Sequence, residues 1–520
     1  MYRRRKLITL AVLSLPLAGC ATFAVEMAPA QADRPWTPAT TATGEIIPGA
    51  PASPPSSRAT GYVLPVNSEL AGVPPGLDTD HGHAYSLPEL IDIAQSNNPL
   101  TRRAWNSARD VALAAGIAES TYLPRLSATI VRGYQTSQDQ NSATLGVSNI
   151  GTANASASNA LTTNGTISAA SLQWLLFDFG QRAAIVDAAK QASVISNIAF
   201  TEVHQHVIYD VSLAFYAHAA ARARVNIAAQ SLRNTQAVQD AVENRLDQGI
   251  GTTTEVARAR QATAQARLAM VQAEGAAQNA YLSLVSAMGI SPLTRIRIAD
   301  ISGRRLSPAM FDSTEKVISI ALARRPDVLT AYAAQKASLA NVRAAEAEFL
   351  PKVFVVGTGS HTSGTLSVSA LPSVGDQSAT LNVSGNRTSG IVLAGATVPL
   401  YDGGTRAALL EQARYKAENA GLTLTRTRQD AVRQIVLAEN ALRTSISTYR
   451  AATALASASQ TTFDAALTAY RSGVGSITDL TLAETQLLQA RSASTDAYST
   501  ALSAAATLAL ATGALGGPPP

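Results

Sequence analysis

The sequence is poor in three features that mark common classes of protein: it has one cysteine in 520 residues, 5% aromatic residues and little excess charge. A single cysteine excludes an internal disulfide, and so few aromatic residues are unusual for a packed enzyme of this length. The formal charge of +5 depends on residues 3–6, because without these four the Lys and Arg count falls from 41 to 37 against 36 acidic residues. A basic surface for nucleic acid is therefore not expected.

The first twenty residues have the layout of a secretory signal. Basic residues 3–6 precede an apolar stretch, residues 7–17, that is too short to span a bilayer. The ending Leu17-Ala18-Gly19-Cys20 resembles the lipobox of bacterial lipoproteins, in which the cysteine becomes the acylated first residue. This resemblance implies a covalent lipid on Cys20, including palmitate, and Ala21 favours sorting to the outer membrane. The alternative is an ordinary cleaved signal with an incidental cysteine.

Residues 21–85 contain ten of the 23 prolines and no sustained apolar period. We interpret this segment as an extended tether. His81 and His83 lie in it, but an isolated His-x-His lacks the further ligands of a zinc site, so a solvated linker pair is the simpler interpretation. His204 and His206 lie on different faces of a predicted helix and cannot chelate one ion together. No metal site is predicted.

The remainder of the chain contains an internal duplication. One register relates the copies at an offset of 227 residues, and after a loss of three residues a second register relates them at 224. Because chance does not hold one register over more than a hundred residues, the sequence predicts two copies of one structural unit. The matched positions are Pro99 with Pro326, Leu123-Pro124 with Leu350-Pro351, Asp178 with Asp402, Gly180 with Gly404, Arg182 with Arg406, Gly249 with Gly473, Gly251 with Gly475, and Gly289 with Gly513.

Each copy begins with two short helices separated by a proline. Capping-box spacings mark the first helix, a residue followed by proline restarts the chain, and a Leu-Pro pair ends the second helix near Tyr122 or Phe349. The pairs with these roles are Ser86 with Glu89 and Asp312 with Glu315, Asn98-Pro99 and Arg325-Pro326, and Leu123-Pro124 and Leu350-Pro351.

Beyond each Leu-Pro pair the apolar residues alternate with polar ones. This period of two predicts two strands per copy, each of roughly nine to eleven residues, joined by a polar loop. Four strands per chain would leave both edges of an open sheet unpaired in lipid, at a cost of several kcal/mol for each orphaned group. Closure of the sheet must therefore come from other chains.

The longest predicted helices run from Gly180 to Gln248 and from Gly404 to Ser472, each over 69 residues without proline. At about 1.5 Å per residue each reaches roughly 100 Å. Their apolar stripe is mainly Ala and Val, which fits a thin-walled assembly better than a wide globular core. Turns at residues 248–251 and 472–475 lead into final helices over residues 252–288 and 476–512.

These features together resemble the TolC-like outer-membrane factor family, over residues 86–515. The lipobox is similar to that of the lipoprotein branch of the family. The resemblance is carried by the Asn-Pro and Arg-Pro helix breaks, the two Leu-Pro pairs, the segments Leu176-Phe177-Asp178-Phe179-Gly180 and Leu400-Tyr401-Asp402-Gly403-Gly404, and the paired glycine turns.

The resemblance implies a fold class that is mainly α with membrane β. Three copies of the duplicated unit would form a homotrimer with a 12-stranded β-barrel in the outer membrane and a 12-helix α-barrel, a periplasmic tunnel. It also implies a passive outer-membrane channel for drugs, metals or solvents, joined to a periplasmic adaptor and an inner-membrane pump. Two alternatives remain open: the exit duct of a type I protein secretion system, and a structural or adhesive envelope trimer.

Candidate site residues follow from the resemblance, at the turn end of the long helices. The aperture and gating residues are Tyr470, Asp479 and Glu255, and the adaptor-docking residues are Gly249, Ile250, Gly473 and Val474. The alternative for Asp479 and Glu255 is a helix N-terminal acid that interacts with the macrodipole. Gly475 and Leu482 depart from the family, which in some members has Arg and Asp there, so the lock of the closed state is expected to differ.

No phosphate loop, Gly-x-Ser-x-Gly segment or cysteine cluster is present in the sequence, so no enzyme chemistry and no cofactor are predicted. The predicted organisation is a signal peptide over 1–19, a lipidated cysteine and proline-rich tether over 20–85, a first repeat over 86–300, a second repeat over 301–515 and a tail over 516–520.

Overall fold

The structure is a computed structural model that describes residues 26–29, 32–33, 36–51, 62–78, 80, 82–147, 151–301, 314–364, 367–368, 381–382 and 386–516. Cys20, His81 and Asp312, to which predictions are attached, lie outside these residues. The chain divides into two compact units, Met1–Asp78 and Thr79–Pro520. The described residues of the first unit form turns and extended backbone, with a bridge between Thr40 and Ile46.

The second unit contains all the named helices and strands, in an order that repeats. The first set is β1 (Ala84–Tyr85), α1 (Leu87–Asn97), α2 (Pro99–Ser120), β2 (Arg125–Val147), β3 (Gly151–Phe177), α3 (Gln181–Asp247), α4 (Thr253–Ala287) and β4 (Arg297–Ile298). The second set is α5 (Thr314–Arg324), α6 (Pro326–Ala347), β5 (Lys352–Gly364), β6 (Ser367–Val368), β7 (Leu381–Asn382), β8 (Arg387–Thr397), α7 (Thr405–Arg471) and α8 (Ile477–Ala511).

The predicted duplicated unit of long helices plus two strands is confirmed. The helices α3 and α7 are 67 residues each, and α4 and α8 are 35 residues each. The ends of α2 and α6 fall two residues before the predicted positions, Tyr122 and Phe349. No helix within the described ranges is long and apolar enough to cross a membrane.

The main sheet has four antiparallel strands in the order β2-β3-β5-β8. The helices follow the same order, since α2 packs on α3, α3 on α6 and α6 on α7. Sheet and helix layers therefore end at matching edges, with β2 and α2 on one side and β8 and α7 on the other.

The strands of the first hairpin are much longer than predicted. β2 has 23 residues and β3 has 27, and their ladder runs without interruption from Arg125–Gln173 to Val147–Gly151. The segment predicted to be a polar loop is therefore mostly strand, because its Ser and Thr residues accept extended backbone and the ladder pairs backbone groups that a loop would leave to water. β5 and β8, with 13 and 11 residues, are close to the prediction.

Left-handed backbone makes the junction between sheet and long helix in both repeats. Gly180 and Gly404, the N-cap residues of α3 and α7, have φ of +97° and +89°. The residue before each is also left-handed, but it is Phe179 at +53° in the first repeat and Gly403 at +70° in the second. The first repeat therefore places a bulky residue in a conformation that favours glycine.

An Asp–Arg pair fixes each of these junctions. Arg182 Nε donates to Asp178 Oδ2 at 2.8 Å, and its Nη1 donates to the carbonyl oxygen of Thr121 at 3.0 Å, which joins the end of α2 to the start of α3. This pair is buried. The equivalent Arg406–Asp402 pair has its closest N–O distance at 2.7 Å, with Asp402 32% exposed.

The residue before each helix-restarting proline caps the last helix of its own repeat. Asn98 Oδ1 accepts from the Leu100 backbone N–H, and Asn98 Nδ2 donates to the carbonyl oxygen of Ala287 at 3.2 Å. Arg325 Nη1 donates to the carbonyl oxygen of Ala511 at 2.7 Å. The duplication therefore preserves a contact between distant segments while the residue that makes it has changed.

Candidate functional site at the helix turns

The turns between the paired helices present apolar side chains at the surface. Gly249 and Gly473 have φ of +74° and +79°, values that ordinary residues adopt only with strain. The next residues, Ile250 and Val474, are 64% and 84% exposed. The structure therefore places all four residues predicted for adaptor docking in two equivalent turns, and their role stays a prediction.

A second glycine in each turn is required by close packing. A Cβ atom at Gly251 would lie 2.9 Å from the backbone nitrogen of Leu246, and one at Gly475 would lie 2.9 Å from that of Tyr470. Both contacts are with backbone, which cannot move aside cheaply. The departure at Gly475 therefore has a local reason, since this turn has no room for the Arg found there in some family members.

Tyr470, the predicted gating residue, is buried at the end of α7. It is 2% exposed and belongs to a cluster near the turns. The other buried members are Val238, Val242, Val256, Ala259, Phe463, Ile477, Leu480, Ala483 and Leu487. Within the described part of the chain its hydroxyl oxygen has no hydrogen-bond partner. A buried hydroxyl of this kind is costly, and this single chain leaves it unsatisfied.

Arg245, which belongs to no motif in the sequence, lies over Tyr470. Its guanidinium carbon is 5.1 Å from the ring centroid, and its Nη1 donates to the Tyr470 carbonyl oxygen at 3.1 Å. Burial raises the pKa of the Tyr470 hydroxyl, Glu255 adds to that rise, and Arg245 opposes it. Comparison of the two repeats could have indicated Arg245, because the residue that corresponds to it at an offset of 224 is the uncharged Ala469.

Glu255 and Asp479 both lie in the first turn of their helices, α4 and α8, and each carboxylate bonds to the N-cap residue. Glu255 Oε2 accepts from the Thr252 backbone N–H at 2.9 Å, and Asp479 Oδ2 accepts from the Ser476 hydroxyl at 2.8 Å. Glu255 is half-buried, and Asp479 is exposed. The structure therefore brings Tyr470 and Glu255 into one electrostatic neighbourhood and keeps Asp479 in its own helix cap. Both acids are therefore placed where they can interact with the helix macrodipole, the alternative interpretation. Their aperture role stays a prediction.

Other positions considered in the sequence are an exposed leucine and two histidines that each lie near a glutamate. Leu482, where some family members have Asp, is 55% exposed. His83 Nε2 lies 2.9 Å from Glu89 Oε1, and His206 Nε2 lies 3.9 Å from Glu202 Oε1. No group of three or more His, Cys, Asp or Glu residues that could hold a metal ion occurs where the chain is described.

Comparison with known proteins connects this arrangement to one family. The sequence model described as Outer membrane efflux protein matches residues 90–290 and 317–514. Protein CyaE of Bordetella pertussis is 26% identical over 409 residues, which are 78% of this chain and 79% of CyaE. Outer membrane protein OprJ of Pseudomonas aeruginosa is 25% identical over 388 residues, which are 75% of each chain.

Solved structures show the same fold at lower identity. A crystal structure of CusC, described in terms of folding and transmembrane channel formation, has a TM-score of 0.67 at 19% identity, covering 84% of this chain and 95% of that one. The open state of the MtrE outer membrane channel of Neisseria gonorrhoeae has a TM-score of 0.64 at 21% identity, covering 82% and 88%. The two matched segments together exceed half of the sequence, and each covers most of one structural repeat. The chain therefore belongs to the outer membrane efflux protein family.

Proposed function

We propose that this chain is the outer-membrane channel of a tripartite efflux system, through which small toxic solutes pass passively to the exterior. The observation that carries the proposal is the pair of open edges shared by the sheet and the helix layer. A barrel closes only when β8 and α7 of one copy meet β2 and α2 of the next. Three copies of the four-stranded sheet give 12 strands, and three copies of the four-helix wall give 12 helices.

Exposed apolar residues on the edge elements support this closure. In α2, Leu113 and Ile117 are 68% and 70% exposed. They lie one helical turn apart and form an apolar face that this single chain leaves uncovered. In β8, Val392 is 75% exposed and Ile391 and Leu393 are about half exposed. Burial of such side chains stabilises an assembly by roughly 25 cal/mol per Å² of apolar surface. A homotrimer covers the face of α2 with a neighbouring copy.

The sheet carries the features of a strand pair in an outer membrane. Leu126, Ile130 and Tyr134 occupy one face of β2 and are 77%, 76% and 70% exposed. The last lies eight positions after the first, and at about 3.3 Å per residue this length is similar to the roughly 25 Å height of the apolar band of outer-membrane barrels. At the helix end of the strands, Trp174 Nε1 donates to the Tyr122 carbonyl oxygen at 2.9 Å, and these rings suit a membrane interface.

The partners follow from the two ends of the channel. The exposed Ile250 and Val474 offer an apolar surface for a periplasmic adaptor, which connects the duct to an inner-membrane pump that supplies energy. Acyl chains on Cys20 would anchor the chain beside its barrel in the lipid. The duct itself carries out no catalytic step, needs no cofactor beyond this lipid and binds no nucleic acid.

The class of solute is set by the pump more than by the duct. Among relatives, an Escherichia coli protein is named as the cation efflux system protein CusC, and a Pseudomonas putida protein is named as the pyoverdine export outer membrane protein OpmQ. Relatives of similar sequence are thus named for different cargoes. The channel therefore provides the path across the outer membrane, and the partner pump selects the solute.

The test combines a channel measurement with a cargo measurement. Purified protein in planar lipid bilayers should conduct ions, and Ile250→Ser with Val474→Ser should leave that conductance unchanged while abolishing efflux in cells. Deletion of the gene should raise sensitivity to small toxins and leave the secreted proteins intact. Intact resistance with one lost secreted protein would instead establish the type I secretion duct, and absence of conductance would favour the envelope spacer.

A further inference from the structure

A carboxylate is buried between the two repeats at the turn end of the helices. Glu484 of α8 is 7% exposed and lies among apolar neighbours, with Leu480 and Leu487 one turn before and one turn after it on the same helix. Removing a carboxylate from water is costly unless hydrogen bonds compensate. The sequence pattern does not explain a carboxylate here, and the equivalent position in the first repeat is Arg260.

The compensating groups belong to α3, in the other repeat. Asn234 Nδ2 donates to both Glu484 carboxylate oxygens, at 3.2 and 3.4 Å, and the buried Ser231 hydroxyl is a second hydrogen-bond partner. Gln230 Nε2 donates to Asn234 Oδ1 at 2.9 Å, which fixes the orientation of the Asn234 amide. Glu484 is therefore held by uncharged groups across the interface.

The charged surroundings of Glu484 are sparse. In the described part of the chain, the ionisable group that acts on it is Arg491 of α8, and Arg491 Nη2 donates to Gln460 of α7. The groups that face it from α3, Ser231 and Asn234, are neutral. Burial raises the pKa of the Glu484 carboxyl, and its two hydrogen-bond partners together with Arg491 moderate the rise. Burial therefore disfavours the charged form of this carboxyl relative to the same group in water.

The location of this contact gives it a mechanical consequence. The helix hairpin α3–α4 meets the hairpin α7–α8 chiefly where α3 packs on α8, with a smaller contact between α4 and α8. A displacement that opens the contact between α3 and α8 at this level separates Glu484 from Asn234. Separation exposes the carboxylate to water, where the charged form no longer carries a desolvation cost.

We propose that Glu484 is a positioning residue of the channel, a latch whose hydrogen bonds to Asn234 and Ser231 hold the second helix hairpin against the first in the closed state. The inference rests on the proposed channel function and adds a residue outside the predicted gating set. It also gives the latch a direction of control by protons: opening releases a proton from Glu484, so a rise in pH favours opening and a fall favours closure.

Single-channel recording of the full-length protein in planar bilayers, at a series of pH values, tests the latch. For the wild type, the open probability should rise severalfold as pH increases through the titration of Glu484. Glu484→Gln keeps the shape and the hydrogen bonds without the charge, so it should remain mostly closed and lose the pH dependence. Asn234→Ala should open more at every pH, because it removes the donor that compensates the buried carboxylate.

A matched control is available within the first repeat. Glu243 of α3 bonds to Arg260 of α4, so Glu243→Gln removes a carboxylate near the same turns without touching the contact between hairpins. This variant should retain the wild-type pH profile. A Glu484→Gln channel that keeps the wild-type profile, or a wild-type channel with no pH dependence, overturns the latch while the proposed function stands. A wild type with no conductance under any condition overturns both.

Discussion

The two repeats share their backbone at the ends of the long helices and differ in the side chains between those ends. Both turns place a left-handed glycine at the same position, Gly249 and Gly473, and both junctions begin α3 and α7 after a left-handed glycine. Yet Arg245 corresponds to Ala469, and Arg260 corresponds to Glu484. The two repeats therefore keep the same backbone conformation at the turns and junctions, where a left-handed glycine or a helix cap is required. Their side chains differ in chemical class along the helix faces that pack against other helices.

The Asp–Arg junctions give the largest expected difference between the repeats. Arg182→Met leaves Asp178 buried without its cation, and loss of one partner of a buried pair costs about 3–5 kcal/mol. Arg406→Met should cost about 1 kcal/mol, because Asp402 is 32% exposed and water compensates. Denaturant unfolding in detergent, followed by circular dichroism, measures both. Equal losses would show that burial does not separate the two junctions.

A buried histidine gives the next largest effect, at acid pH. His218 is buried with its Nδ1 unpaired within the described residues, and desolvation, with a smaller effect from Arg222, lowers its pKa to about 4. The unfolded chain binds the proton first as pH falls from about 6.5, so the free energy of unfolding should drop by roughly 3 kcal/mol on approaching pH 4. Its equivalent in the second repeat is Leu442, which is fully buried.

The variant His218→Leu reproduces the second repeat at this position and should remove that acid sensitivity. The measurement is the denaturation midpoint of wild type and variant at pH 7 and at pH 4. An identical dependence on pH in the two proteins would assign the acid sensitivity to other groups.

The proline caps allow a smaller and more specific comparison. Asn98→Ser keeps an uncharged acceptor for the Leu100 N–H but loses the donor to the Ala287 carbonyl oxygen, and Asn98→Ala loses both. We expect a cost of about 1 kcal/mol for each lost contact, so the alanine variant should be the less stable of the two. Matching stabilities for Ser and Ala would mean that the cap at Leu100 contributes nothing measurable.

The smallest expected effect lies at the left-handed residue before each long helix. Phe179→Gly relieves backbone strain of about 1–2 kcal/mol but removes the edge-to-face contact with Phe177, whose ring centroid is 4.7 Å away. The two effects oppose, so the midpoint should change little. Phe177→Ala removes the contact without relieving strain and should be clearly destabilising. A large loss in Phe179→Gly would mean that the ring, rather than the backbone, dominates this junction.

Much of this architecture was predictable because it depends on prolines and glycines that begin or end helices and can be located in the sequence. A helix begins at the proline that follows Asn98 and Arg325, and another begins after the glycine at 180 and 404. Because each of these residues has one structural role, the helix bounds were predicted to within about two residues. The long first hairpin was not predictable, because its small polar residues suit a loop as well as a strand and only the ladder decides between them. Loop composition therefore says little about strand length.

The candidate site divides in the same way. The repeat located the turns that contain Gly249 and Val474, and the family resemblance assigned these residues a docking role, which stays a prediction. Arg245 and Glu484 were missed because their significance depends on which helix packs against them, and a single helical period does not reveal the partner. Alignment of the two repeats would have indicated both residues, because each corresponds to a residue of a different chemical class in the other repeat.

The central claim is that one copy cannot close the wall and that three copies do. Sedimentation equilibrium of the purified protein in density-matched detergent measures this directly, because it gives the protein mass without the micelle. The account predicts a single species with the mass of three chains, and the same species should conduct in bilayers. A stable species with the mass of one chain, without a larger form at any protein concentration, would contradict it.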